Sequence, residues 1–341
     1  MEASSITCPI PSTINDLRLI QHALPQWTNA KGQVFVRFAT SPINKVDMMV
    51  LSGSYPVKPS VTLDDASIPG FDGCAVVLRS NSPRFQSGDL VIPSKLWMGT
   101  WRTHAVFPDG DLIKLPRDTP PLAAALLRSN VAIAWLLLHE VIPMKAGDWI
   151  IMTAGTSCVA HFVVQCAKMK GVKVVLVVRD GEKAEENKER LLGRGAEMVL
   201  TEAELIARPS FPEPIVLALD CVFGPVGEAL LDVVAMGATY VLVGVLRGID
   251  ETVGLKAKHL FAKQITLRTF RGSAILAQKG DGGVVALFNR LAQMFVDNLL
   301  TIPDVDVREW PVGEGSMREV LGTVQANRPG TRKCVWLFRD N

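Results

Sequence analysis

Tyrosine is scarce in this 341-residue chain, with two copies, and its six cysteines are scattered. Cys8, Cys74, Cys158, Cys166, Cys221 and Cys334 form no close CxxC pair and no regular framework, which argues against a disulfide scaffold and for reduced thiols. The five histidines show neither an HExxH pattern nor a His/Cys cluster, so no metal site is expected. A single-sign charge block is missing too: 36 basic residues stand against 34 acidic ones, which leaves no electrostatic footprint for nucleic acid. Apolar runs such as "VVLVV" and "TYVLVGVL" fall far short of the roughly 20 residues needed to cross a bilayer, so no transmembrane insertion is expected. The opening "MEASSITCPIPSTINDLRLIQ" carries no basic-then-apolar targeting pattern, and on the residues alone a cytoplasmic setting is as good as any other.

With 48% apolar and 21% charged residues, the chain has enough hydrophobic material for a sizeable core that divides once. To about residue 120, short apolar runs alternate with turn residues ("GQVFVRFAT", "CAVVLRS", "GDLVIPS", "WRTHAVF"), the pattern of a twisted, mainly β domain. The Ala/Leu-rich stretch after "RDTPP" changes the period to helical. From "DWIIMTA" onward, strand candidates "VKVVLVV", "AEMVL", "PIVLALDCV" and "GATYVLVGV" alternate with helix candidates, which predicts an α/β Rossmann-type parallel sheet. Two more helix candidates and a terminal strand "RKCVWLF" suggest that the tail rejoins the first domain. The expected division is 1–122, 123–285 and 286–341.

The strand-to-helix transition "TAGTSCVA" is the candidate cofactor turn, because exposed amides at a helix start can hold a pyrophosphate. Its residues are Ala154, Gly155, Thr156, Ser157, Cys158, Val159 and Ala160. Glycine is the usual choice where backbone approaches phosphate, and Cys158 and Ala160 stand in the crowded part, so a packed structural turn is the alternative. Arg179 and Asp180 follow the second strand, where an arginine meets a 2'-phosphate; a solvent-facing Arg-Asp turn is the alternative.

Taken together, "SPINKVDMMVLSGSYPVKP", "GTWRTHAVF", "LRSNVAIAW", "KAGDWIIMTAGTSCVA", "VVRD" and "LLGRGAEMVLTEAEL" resemble the zinc-independent medium-chain dehydrogenase/reductase family, in particular its mitochondrial trans-2-enoyl-thioester reductase branch. The resemblance covers most of the chain in unbroken order. It implies a GroES-like β domain joined to an NADPH-binding Rossmann domain, a mitochondrial location, a homodimer with a larger assembly as a further option, and an acyl-CoA or acyl-carrier-protein substrate. It implies that Tyr55 donates the proton and that Asn130 orients cofactor or substrate, with Val131 to Trp135 departing from the family pattern. It implies cofactor contacts for the 154–160 turn, Arg179, Asp180 and Gly244, and a substrate pocket with Trp101, Phe270 and Arg271, where a buried tryptophan and an outward-pointing arginine are the alternatives. The implied reaction is NADPH-dependent reduction of a trans-2-enoyl thioester, hydride to Cβ and proton to Cα. An inactive reductase-like subunit and a quinone or activated-alkene reductase are the alternatives.

Overall fold

Strands buried on both faces need runs of branched apolar residues, and "WIIM" and "VVLVV" supply them in the middle of the chain. The computed structural model describes residues 2–55, 59–326 and 332–339. The chain divides into two compact units, residues 130–280 and residues 1–129 with 281–341.

The 130–280 unit holds a six-stranded sheet in the order Met198–Thr201, Lys173–Val178, Trp149–Met152, Ile215–Asp220, Thr239–Leu242, Thr266–Thr269. Every neighbouring pair is parallel. In chain order this is 3-2-1-4-5-6, the Rossmann arrangement, whose order reverses beside the first strand, Trp149–Met152. The helix Cys158–Lys170 follows that strand. Ser157 caps it by accepting the Ala160 N–H at 3.1 Å, a bond worth about 1 kcal/mol. The helix stops at Gly171, whose φ of 69° is the left-handed conformation that glycine adopts without strain.

The sixth strand, Thr266–Thr269, is not among the strand candidates of the sequence, which has a substrate role for Phe270 and Arg271 just after it. All four of its residues are exposed, so it lacks the apolar signature of its neighbours. It is an edge strand, laddered to Thr239–Leu242.

The other unit is built on a seven-stranded sheet centred on Gln33–Pro42, which pairs antiparallel with Cys74–Ser80, His104–Pro108 and Lys333–Leu337. The terminal strand Lys333–Leu337 lies between Gln33–Pro42 and Val305–Glu309. Phe38, Trp101, Phe107, Met317, Leu321 and Trp336 are buried in one core, so both chain segments contribute to it. A hairpin of Glu2–Thr7 and Arg18–Ala23 opens the chain.

Pro121–His139 is, among the described residues, the one helix long and apolar enough to cross a membrane, and 78% of its apolar window is buried inside the protein, as in a core helix. Its middle, Leu127–Ala132, has π-helical hydrogen bonding.

Candidate active site

In an open parallel sheet, ligands bind beyond the carboxyl ends of the strands where the strand order reverses. Here that point follows Trp149–Met152 and Ile215–Asp220, and it is occupied by a buried polar cluster. Asp220 accepts hydrogen bonds through Oδ1 from the Thr153 hydroxyl at 2.8 Å and from the amides of Val222 and Phe223 at 2.9 and 3.0 Å. Its Oδ2 accepts the Tyr240 hydroxyl at 2.5 Å. The Thr153 hydroxyl in turn accepts the Cys221 N–H at 2.7 Å. Burial, the adjacent Asp220 carboxylate and its hydrogen bond push the Tyr240 phenol far up, so Tyr240 stays neutral and holds the carboxylate.

That cluster fixes the base of the cofactor turn. Ala154 takes a left-handed φ of 55°, and Gly155 presses on the next strand, its N–H donating to the Val177 carbonyl at 2.8 Å. A Cβ on Gly155 would stand 2.9 Å from the Leu176 Cβ and 3.1 Å from the Val177 oxygen, so only glycine lets the turn approach this closely. Thr156 is exposed, Ser157, Cys158 and Val159 are half-buried, and Ala160 is fully buried, facing into the protein from the first helical turn. Gly155 thus serves the close packing of the turn on the neighbouring strand, and the helix that follows starts beside the exposed Thr156.

Other candidates lie along the same sheet edge. Gly244 follows Thr239–Leu242 and donates its N–H to the Asp220 carbonyl at 3.1 Å. Phe270 follows the edge strand, its N–H donating to Leu242, and its side chain is buried. The position of a Cβ on Gly272 is 2.4 Å from Ile133 and 3.4 Å from the Phe270 ring, which brings the 130–135 segment and the Phe270 segment together. Arg271 is exposed at the start of the helix Gly272–Gln278. Arg179 and Asp180 follow Lys173–Val178, both exposed. Asn130 lies in the π-helical segment, 3% exposed, and its Nδ2 has no hydrogen-bond partner among the described residues. A buried amide donor left unsatisfied costs about 1–3 kcal/mol, a condition that Asn130 shares with the buried indole N–H groups of Trp101 and Trp336.

Tyr55 belongs to the other unit. It is half-buried, its N–H donates to the Met49 carbonyl at 3.1 Å, and its ring lies 6.2 Å from that of Trp97. Trp97 also packs edge-on against Phe71, with centroids 4.6 Å apart. Phe71 is anchored by Asp47, whose Oδ1 accepts its N–H at 2.9 Å while Oδ2 accepts the Asn44 N–H at 2.6 Å, capping the helix Lys45–Leu51. Asp47 therefore holds both the helix that leads to Tyr55 and the aromatic pair beside it. A second buried carboxylate, Asp72, accepts bonds from Ser129 and Asn44 and pairs with Arg128 at 3.7 Å. Lys333 of the terminal strand donates to the Asn44 side chain.

Trp101 takes the second of its two readings, the buried one, and not the substrate passage. It is fully buried in the core of this unit, its carbonyl accepting the Ile6 N–H at 2.9 Å, and no surface remains for an acyl chain. The bulk of an indole is better matched by the core than by a passage.

Burial pushes the Asp47 carboxyl up to about 7, against the pull of its two N–H donors and of Lys333. A carboxyl raised above its ordinary 3.8 holds a proton in the folded protein that the unfolded chain releases, so its contribution is complete below about pH 4 and declines as the pH rises toward 7. Denaturant unfolding between pH 4.5 and 7.5 should show Asp47→Asn gaining on the wild type as pH rises; a difference independent of pH would contradict the shift.

Residues 30–117 match the alcohol dehydrogenase GroES-like domain and residues 158–290 the zinc-binding dehydrogenase family. The human mitochondrial enoyl-acyl-carrier-protein reductase is 33% identical over 269 residues, 76% of this chain and 69% of the relative. The rat enzyme of that name is 34% identical over 262 residues, 74% of this chain and 68% of the relative. The chain belongs to the mitochondrial enoyl-acyl-carrier-protein reductase family.

This family member also shares its fold with solved enoyl thioester reductases. The mitochondrial 2-enoyl thioester reductase Etr1p/Etr2p heterodimer from Candida tropicalis superposes with a TM-score of 0.86 at 23% identity, over 99% of this chain and 100% of that one. The Etr1p/NADP/crotonyl-CoA complex gives 0.87 at 23% identity, over 99% and 100%. The β unit of this reductase is thus GroES-like and the other is Rossmann-like. Despite the zinc-binding label of one match, no three His, Cys, Asp or Glu side chains converge as a ligand set among its described residues. The Asp220–Tyr240–Thr153 cluster and the Asp47–Phe71 anchor escaped the sequence reading. The one available signal was that Tyr240 is the second of only two tyrosines.

Proposed function

We propose that this chain reduces trans-2-enoyl acyl thioesters, carried on coenzyme A or acyl-carrier protein, with NADPH as reductant, in mitochondria. The observation that carries the reading is the family membership, joined to a Rossmann turn whose Gly155 packs without room for a side chain. When bound, NADPH supplies the hydride for Cβ of the alkene. The chain's own work is binding, orientation and proton supply. The 154–160 turn seats the pyrophosphate on its helix start, with Gly244 leaving backbone space beside it. Arg179 meets the 2'-phosphate, and Asp180 steadies that turn by accepting the Ala203 N–H at 3.3 Å. Asn130 uses its unpaired Nδ2 to orient an oxygen of substrate or cofactor. Tyr55 delivers its phenolic proton to Cα. Phe270 offers an apolar wall for the acyl group, and Arg271 an exposed cation for an anionic carrier.

We further propose a homodimer formed through the edge strand Thr266–Thr269, which has one partner strand among the described residues and contains the exposed Leu267, with Phe261, 89% exposed, shortly before it in the chain. Isothermal titration of NADPH and NADH into the purified protein, followed by NADPH consumption with a short enoyl thioester, tests the function. Saturable NADPH binding and turnover are expected, from a species of twice 37.1 kDa. Binding without turnover would favour an inactive subunit, and turnover of quinones alone would move the chain to another substrate class.

A further inference from the structure

The seat at the end of the second strand is not purely cationic. The parallel register pairs Val178 with Thr201, so Arg179 and Glu202 leave adjacent strands at the same sheet edge. Glu202 opens the short helix Glu202–Ile206, and the Asp180 carboxylate ties the two strand ends together through the Ala203 N–H. Arg247 is held nearby, its N–H donating to the Val222 carbonyl at 3.3 Å and its guanidinium paired with Glu251 at 3.0 Å. The half-buried Glu202 carboxyl lies within the fields of Arg247 and Arg179, which attract it, and of Asp180 and Asp220, which repel it; burial is the largest influence and pushes its pKa up. A carboxylate at a strand end beside an adenosine ribose accepts its hydroxyl protons and disfavours a phosphate there.

We propose that Glu202 sets the nucleotide preference of this site: its carboxylate opposes a 2'-phosphate beside Arg179 and accepts the hydroxyls of an unphosphorylated ribose, narrowing the margin by which NADPH is chosen over NADH. The inference rests on the cofactor reading given above. It adds to the sequence expectation in one respect, because a carboxylate from the end of the third strand joins Asp180 beside Arg179. Preference is a difference of two affinities, so one opposing charge changes it without any loss of fold.

The test is isothermal titration of NADPH and of NADH into the wild type, Glu202→Gln and Glu202→Asp. In Glu202→Gln, NADPH should bind about tenfold more tightly while NADH binds no better, so the ratio of the two dissociation constants widens about tenfold. Glu202→Asp keeps the charge and should keep a ratio close to that of the wild type. An unchanged ratio in Glu202→Gln, with both nucleotides still bound, overturns the Glu202 assignment and leaves the cofactor reading standing. Absence of saturable binding in all three folded proteins removes the cofactor reading and this inference together.

Discussion

Tyr55→Phe is expected to lower kcat for an enoyl thioester by about 10²–10⁴-fold, the range that a positioned general acid contributes. The substitution keeps the ring that packs against Trp97 and removes only the hydroxyl. Thermal stability and NADPH affinity should therefore stay at wild-type values while turnover collapses. Steady-state kinetics together with NADPH titration of the same preparation separates the two effects. A drop of less than tenfold would move the proton source to another group or to water.

Asp220→Ala should do its damage through structure and binding together. One carboxylate accepts from the Thr153 and Tyr240 hydroxyls and from two backbone amides, and the residue is fully buried. Each buried donor left without an acceptor costs about 1–3 kcal/mol, so a total on the order of 3 kcal/mol or more is expected. Because the same cluster holds Thr153 at the start of the cofactor turn, NADPH affinity should fall even where the variant remains folded. Tyr240→Phe, which removes one bond, should show a fraction of the stability loss and nearly normal binding. Urea unfolding and calorimetric titration on both variants decide it; equal, small losses would mean that the cluster is dispensable.

The parallel sheet was legible because strands with two covered faces must be apolar throughout, and five of the six announce themselves that way. The sixth, Thr266–Thr269, was not, since an exposed edge strand has no hydrophobic run to read. In the site, the 154–160 turn and Arg179 could be singled out as candidates because they sit at fixed offsets from a strand. Asp220 and Tyr240 were missed because the meeting of their side chains depends on the pairing of Ile215–Asp220 with Thr239–Leu242, which spacing alone does not give. Asp47 and Asp72 read as ordinary surface acids until folding buries them, and their companion Lys333 comes from 289 positions beyond Asn44. Trp101 kept two readings in the sequence for the opposite reason: an aromatic near site residues in sequence belongs to the core in space.

The last strand of the chain has a consequence for synthesis. Lys333–Leu337 inserts between Gln33–Pro42 and Val305–Glu309, and its Trp336 is fully buried in the core begun by the first hundred residues. As the chain emerges in sequence order, the 130–280 unit has all its strands once residue 280 has emerged, whereas the unit that carries Tyr55 must wait, half-assembled, with an open sheet edge and an unfilled core. The chain therefore completes its Rossmann-like unit before the unit that carries Tyr55, and a chaperone that shields exposed strand edges has its longest task on the strands that await Lys333–Leu337.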